Sequence, residues 1–216
     1  MATAYEDDKE KETCPFSQYA KGLLDTLFEV AYAHPEGAEH NLAITAFDAI
    51  NEIVLLRLGD VNLLLVNYVK PLLDELSKAF AGGDKLRLPQ TCSLLQTIIG
   101  VLGSAVEPFF PALSEAFFTL LKNEHSYEEA LGAAGALCDA CPSHFDVRAL
   151  LPYLFQGIKS TQKADVMVTA LNALADICSL GPALLPFSRE ILQTLMETLK
   201  VSLSLSLLNS LSLSLS

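Results

Sequence analysis

The chain has 216 residues, 51% of them hydrophobic, with a formal net charge of −12, no tryptophan and five cysteines. Such a length and apolar content exclude disorder for most of the chain and allow a substantial core, as one domain or as a stack of repeats. The acidic balance argues against a nucleic-acid surface and favours a basic partner, and an odd number of cysteines scattered through apolar patterns reads as small core residues in a reducing compartment.

In chain order, residues 1–13 carry the run Glu6, Asp7, Asp8, Lys9, Glu10, Lys11 and Glu12, and read as an acidic disordered tail without the basic-then-apolar order of a secretory signal. From 14 to 200 apolar residues recur at helical spacing, and the helices fall into pairs. The first pair is about 15–33 and 41–57. The second is about 61–80 and 88–103; Pro71 should bend its long first member, and Ala81-Gly-Gly-Asp84 is a short turn lacking the lysine spacing of a phosphate loop. The third is about 106–122 and 127–140, its second member preceded by Ser126-Tyr127-Glu128-Glu129, which has the form of a capping box. The most apolar window, 98–121, is long enough to span a membrane but holds Glu107, Glu115, Pro108 and Pro111, so a helix pair with a turn near Pro108 is expected and no membrane partner. The fourth pair is about 146–159 and 165–180, with Pro142 and Gly181-Pro182 stopping second helices. A lone first helix, about 183–200, follows.

Residues 201–216 read VSLSLSLLNSLSLSLS. Strict Leu-Ser alternation has strand periodicity and would present a bare leucine face. It stands where the fifth pair needs its second helix. The codons CTC and TCT read Leu and Ser, so this tail is expected to be a translated CT repeat at the end of a truncated gene product, the alternative being a genuine low-complexity tail.

The pairs are a repeat. Ala149-Leu-Leu-Pro152 recurs as Ala183-Leu-Leu-Pro186, 34 residues on, each time with an aromatic residue next, and is expected to mark the entry of a first helix. Gly135-Ala-Leu-Cys-Asp-Ala-Cys141 overlays Asn172-Ala-Leu-Ala-Asp-Ile-Cys178, and taking Ile50, Ile98, Leu137 and Leu174 as equivalent gives spacings of 48, 39 and 37, the irregular period of a helical solenoid.

Leu-Leu-Pro in the first helices, with Ala/Leu/Asp-rich second helices at this period, resembles HEAT repeats. Asn41-Leu-Ala-Ile-Thr-Ala-Phe-Asp-Ala-Ile-Asn-Glu-Ile-Val54, then Cys92-Ser-Leu-Leu-Gln-Thr-Ile-Ile99, then Tyr127-Glu-Glu-Ala-Leu-Gly-Ala-Ala-Gly-Ala-Leu137 and Leu151-Pro-Tyr-Leu-Phe-Gln-Gly-Ile-Lys159 resemble, in the same order, the middle of the importin beta (karyopherin beta) family over about residues 15–200. The resemblance implies an all-α HEAT-repeat solenoid of about four and a half helix pairs, part of a right-handed superhelix. It further implies protein import into the nucleus, with a basic import signal or an importin-alpha-type adaptor helix wrapped by the superhelix, Phe-Gly nucleoporins on the outer face, and residence in cytoplasm and nucleus. Release by Ran-GTP belongs to the family as well, and with four and a half repeats that contact is expected to be incomplete. The chain departs from the family pattern in having no tryptophan for its inner surface.

The second helices point to a basic partner independently. With their apolar residues turned toward the first helices, the remaining face of the fourth carries Asp165, Thr169, Asn172 and Asp176; the same register gives Glu128, Gly132, Gly135 and Asp139 in the third, Pro89, Ser93, Gln96 and Gly100 in the second, and Asn41, Thr45, Asp48 and Glu52 in the first. None of these sixteen positions is Lys or Arg. Stacked second helices line the concave side of a solenoid, so Asp48, Glu52, Gln96, Glu128, Asp139, Asp165, Asn172 and Asp176 are the predicted partner-binding residues of an acidic groove. The alternative is a solvated face on a generic HEAT scaffold, such as a phosphatase regulatory subunit or another karyopherin. Phe109, Phe110, Phe117, Phe118 and Phe155 on the first helices read as inter-repeat packing, with grooves between first helices open to a nucleoporin phenylalanine. Cys138-Asp-Ala-Cys141 has a redox or half-zinc spacing, but both cysteines fall on an apolar helix face and no second such pair follows, so core packing is expected. His34, His40 and His125 lie beside no candidate nucleophile or carboxylate pair. No enzyme activity, cofactor or metal is expected.

Overall fold

A computed structural model describes residues 17–33, 40–56, 59–160, 163–178 and 180–214. The predicted tail at 1–13 and His34 lie outside them. The described residues form helices α1 (Ser17–Ala33), α2 (His40–Leu55), α3 (Gly59–Gly82), α4 (Arg87–Leu102), α5 (Phe110–Leu120), α6 (Tyr127–Ala140), α7 (Val147–Ile158), α8 (Ala164–Cys178) and α9 (Ser188–Ser214). No strand occurs among them.

Odd-numbered helices are the first members of the pairs and even-numbered helices the second. Each pair closes on itself, α1 on α2, α3 on α4, α5 on α6 and α7 on α8, and the pairs stack through the second helices, α2 on α4, α4 on α6 and α6 on α8. These second-layer contacts are far more extensive than those between α1 and α3 or between α3 and α5. Side-chain size explains the asymmetry. A Cβ added to Gly135 of α6 would lie 2.8 Å from the Cβ of Ala173 in α8, so these helices touch almost backbone to backbone. Between first helices stand rings instead: Phe118 is 6.0 Å from Phe145 and 6.3 Å from Tyr153, centroid to centroid, and Phe110 is 6.1 Å from Phe145. Small residues inside and rings outside curve the stack, with the second helices on the concave side. The architecture is an all-α HEAT-repeat solenoid.

The apolar stretch Arg87–Leu120 has the length and composition of a membrane span. It is broken by Gly103, whose φ of 53° ends α4, and by a 3₁₀ segment at Gly103–Phe109, which leaves helices of 16 and 11 residues. A straight span needs about 20 residues. The turn predicted near Pro108 is therefore present.

Several local expectations change. The third and fifth first helices do not begin at once: each is preceded by a 3₁₀ segment, Gly103–Phe109 and Gly181–Phe187. Both open on a glycine in left-handed φ and close on Pro-Phe with the same spacing, Gly103 to Pro108 and Gly181 to Pro186, a signature that the Ala-Leu-Leu-Pro match obscured. Ala149-Leu-Leu-Pro152 lies inside α7, which starts earlier because Asp146 caps it, the Arg148 N–H donating to Asp146 Oδ1 at 3.0 Å. Ala183-Leu-Leu-Pro186 lies in the 3₁₀ segment, so only the general position of this string is shared. The capping box does not form. Ser126 is fully buried, and its hydroxyl donates to the Leu120 carbonyl at 3.1 Å, tying the end of α5 to the start of α6 instead of capping α6. Finally, α9 does not end near 200 and no strand follows it, since the backbone stays helical to Ser214. No proline or glycine interrupts that stretch, and the Ser204 hydroxyl donates to the Lys200 carbonyl at 2.8 Å, a bond only a helix supports.

Candidate functional site

The sixteen-position stripe is a real surface. Of its members only Gly132 and Gly135 are buried; the others reach solvent along α2, α4, α6 and α8. Along α6 it runs from Glu128 to Asp139, about 16 Å at the helical rise.

The two glycines explain how its polar groups are seated. A Cβ on Gly132 would meet Gln96 Oε1 at 2.6 Å, and one on Gly135 would lie 3.2 Å from Asp176 Oδ2. The Gln96 amide thus lies over one glycine and the Asp176 carboxylate beside the other, both sunk into the seams between second helices. Gln96, Asp139 and Asp176 line one depression of about 500 Å³, together with Ser93 and Thr97. Burial raises the Asp176 carboxyl above the usual carboxylate range, and the neighbouring Asp139 raises it further. The same pair of carboxylates adds to burial in pushing the Cys138 thiol up to about 12. The local potential is therefore negative, in a site with amide and hydroxyl groups at hand.

Not every predicted residue joins this cluster. Leu55, at the end of α2, lines the same depression, which places Glu52 one turn from its rim and Asp48 a further turn away. Asp165 and Asn172 are exposed on α8. Glu128 sits at the opposite end of α6, accepting a hydrogen bond from the Thr169 hydroxyl at 3.4 Å. It faces a second depression of about 330 Å³ that also holds Lys122, Lys163 and Glu129, so the cation-free character of the stripe fails there. Glu129, next to it, has its carboxyl raised by burial first and by Glu128 second.

The outer layer carries a different groove, of about 530 Å³, between α3 and α5. Leu73, Phe80, Phe109, Ala112 and Ala116 line it, with Lys70, Asp74 and Glu115 among its polar groups. Of the five phenylalanines singled out in the sequence, only Phe109 belongs to it; Phe117 is buried, while Phe110 and Phe118 join the ring cluster around Phe145. Phe80, 39% exposed in the last turn of α3, was missed. It stands four residues after the buried Leu76 and seven after the buried Leu73, so helical periodicity alone reads it as core, and only the end of the neighbouring helix leaves it open.

The cysteines behave as packing residues. Cys92, Cys138 and Cys141 are buried, and burial raises each thiol, so none is a ready thiolate at neutral pH. Among the described residues no three His, Cys, Asp or Glu side chains gather as a metal-holding group.

A sequence model of the family described as "Importin subunit beta-1-like, TPR repeats" matches residues 1–210. Importin subunit beta-1 of Arabidopsis thaliana is 24% identical over 219 residues, covering 92% of this chain and 25% of the relative. Among solved structures, importin beta crystallised in a polyethylene glycol condition superposes with a TM-score of 0.75 at 18% identity, over 85% of this chain and 24% of that one. A Kap95:Nup1 complex superposes with a TM-score of 0.73 at 21% identity, over 85% and 23%. The chain spans about a quarter of the length of these relatives. At such identities the solved structures establish the fold.

Proposed function

Because the chain belongs to the importin subunit beta-1-like family of nuclear transport receptors, we propose that it binds a basic import signal, or the basic helix of an importin-alpha-type adaptor, across its concave second-helix face, and that it does so in protein import between cytoplasm and nucleus. The observation that carries this reading is the seating of Gln96, Asp139 and Asp176 around one depression on adjacent helices, with no Lys or Arg among the residues that line it. A guanidinium or ammonium entering there gains two carboxylates and an amide oxygen, and offsets both the burial that raises the Asp176 carboxyl and the smaller contribution of the neighbouring Asp139 charge. Binding is non-covalent, without cofactor or catalytic step. The apolar groove between α3 and α5 has the size and lining to receive a phenylalanine of a Phe-Gly nucleoporin, and the likeness to a Kap95:Nup1 complex supports that second, outer contact.

Titration of a fluorescent basic adaptor helix against the protein at two salt concentrations tests the concave face. Binding is expected to weaken with salt and to fall about tenfold, or 1.4 kcal/mol, in the Asp139→Asn/Asp176→Asn variant. A folded, helical protein that ignores the peptide, or that binds it equally well after the substitutions, would return the chain to a generic scaffold.

A further inference from the structure

The outer face has a second groove, on the other side of α3, and its chemistry differs from the first. It lies between α1 and α3 and holds about 590 Å³. Phe28 and Tyr68 line it with stacked rings, 4.7 Å between centroids and 17° between planes. Both rings are only half-buried, so part of each is open to the groove. The Tyr68 hydroxyl donates to Asp25 Oδ1 at 2.6 Å, which fixes the ring and the carboxylate relative to each other.

Four carboxylates surround these rings: Asp25 and Glu29, one helical turn apart on α1, and Asp74 and Glu75 on α3. Lys21 pairs with Asp25 at 2.6 Å, and Lys78 with Glu75 at 2.5 Å. Glu29 and Asp74 make no ion pair among the described residues, and although Lys78 also lines the groove and its charge reaches Asp74, four carboxylates against that one lining lysine leave the aromatic surface in a negative field. A ring presents negative charge from its face, and its attraction for a cation adds to that of the carboxylates. The protein uses this contact elsewhere, with the Arg148 guanidinium 5.7 Å from the Phe187 centroid.

We propose that the α1–α3 groove is a docking site for an arginine side chain of a partner polypeptide, its guanidinium laid on the Phe28–Tyr68 stack and held by Glu29 and Asp74. A planar, weakly hydrated guanidinium stacks on a ring and forks to carboxylates, which a compact, strongly hydrated ammonium does less well. A nucleic acid or an anionic membrane is repelled by the same four carboxylates. Asp74 lines both outer grooves, so a chain crossing α3 at Asp74 meets an apolar groove on one side and a cation-accepting one on the other. This site lies on the layer opposite the concave stripe and does not rest on the reading given to that stripe.

The test uses the full chain and three fluorescent peptides of one glycine-spaced design, carrying arginine, lysine or the neutral isostere citrulline. The arginine peptide is expected to bind several-fold more tightly than the lysine peptide and the citrulline peptide not at all. Glu29→Gln/Asp74→Asn should weaken the arginine peptide about fivefold, Tyr68→Phe should leave it bound, and Asp139→Asn/Asp176→Asn should change its Kd by less than about twofold. The first two variants alter exposed or ring-conserving positions, and circular dichroism checks their helicity. No binding, equal affinity for citrulline, or a loss as large from the concave pair as from the outer pair would overturn the proposal. Failure of the adaptor helix to bind the concave face leaves these outcomes unchanged, so the two readings fail separately.

Discussion

Helices α6 and α9 differ in a way their compositions do not foretell. α6 is built of Ala, Gly and two leucines among its polar residues, yet Leu131, Gly132, Ala133, Ala134 and Gly135 are all buried in succession, on every side of the helix. α9 is richer in leucine, yet Leu192, Met196 and Leu199 are 60%, 57% and 61% exposed. The difference lies in neighbours. α6 packs against α4, α5 and α8, whereas α9 packs on α7 and its own 3₁₀ lead-in. In a solenoid each helix draws its stability from the adjoining repeats, so apolar content converts to burial only where a neighbour supplies the other surface.

The sharpest way to break this comparison is to truncate one leucine in each helix. Leu131→Ala removes a fully buried side chain from α6, and is expected to cost about 2–5 kcal/mol in chemical denaturation. Leu192→Ala on α9 should stay within about 0.5 kcal/mol. Equal losses would mean that α9 has a partner surface equivalent to that of α6. A finer probe compares the two α6 glycines. In Gly135→Ala the new methyl meets the Ala173 backbone at 2.9 Å, which has no freedom to move aside. The helices must separate, at about 1–2 kcal/mol after the gain in helix propensity is counted. In Gly132→Ala the obstacle is the end of the flexible Gln96 side chain, so thermal unfolding should show little loss or a small gain.

The same contrast decides what could be read from the sequence. The bounds of α6 were legible to the residue, because Ser126 and Pro142 bracket an uninterrupted apolar pattern. The acidic stripe was legible as a register, since helical periodicity assigns a face without knowledge of the neighbours. What the glycines in that stripe do was not legible: Gly132 and Gly135 look like gaps until α4 and α8 close on them. The failed capping box has the same origin. Ser126 suits an N-cap by local rules, but its burial against the end of α5 offers the Leu120 carbonyl a partner that it would otherwise lack. For 201–214 the alternation obeys a strand's period, and local hydrogen bonding in the absence of any neighbouring strand favoured helix.

Asp176 gives a smaller effect with a definite sign. Burial, and then Asp139, raise its folded carboxyl above the ordinary aspartate value, so between the unfolded and folded values the native state holds more protons, and stability falls as pH rises through that window. Asp176→Asn should therefore raise Tm at pH 7 by about 1–2 °C, the effect being limited by solvent screening of a half-exposed carboxylate, and should give no gain below the unfolded value. A Tm difference independent of pH would show that packing, not charge, separates the two side chains. The same substitution is expected to weaken the basic peptide, which would make Asp176 a residue whose binding role costs the α6–α8 seam some stability.

Deleting residues 201–216 should have the smallest effect of all. Two residues along a helix turn through about 200°, so Leu199 and Val201 lie on nearly opposite sides of α9. Both are exposed, at 61% and 47%, which means that neither side has found a neighbour by the point where the Leu-Ser alternation begins. The contacts that fix α9 lie earlier: Ile191 and Thr194 are buried, Lys159 at the end of α7 reaches Glu197 at 3.9 Å, and Arg148 covers Phe187. Helix beyond them is held by its own backbone bonds, and an unsupported helix of that length is marginal in water. Unfolding free energy should therefore change by less than about 0.5 kcal/mol on deletion, while amides in 201–214 of the intact chain exchange with solvent far faster than those of α6. A loss of about 2 kcal/mol, or slow exchange in that segment, would require a packed neighbour for the distal half of α9 and would erase the contrast with α6.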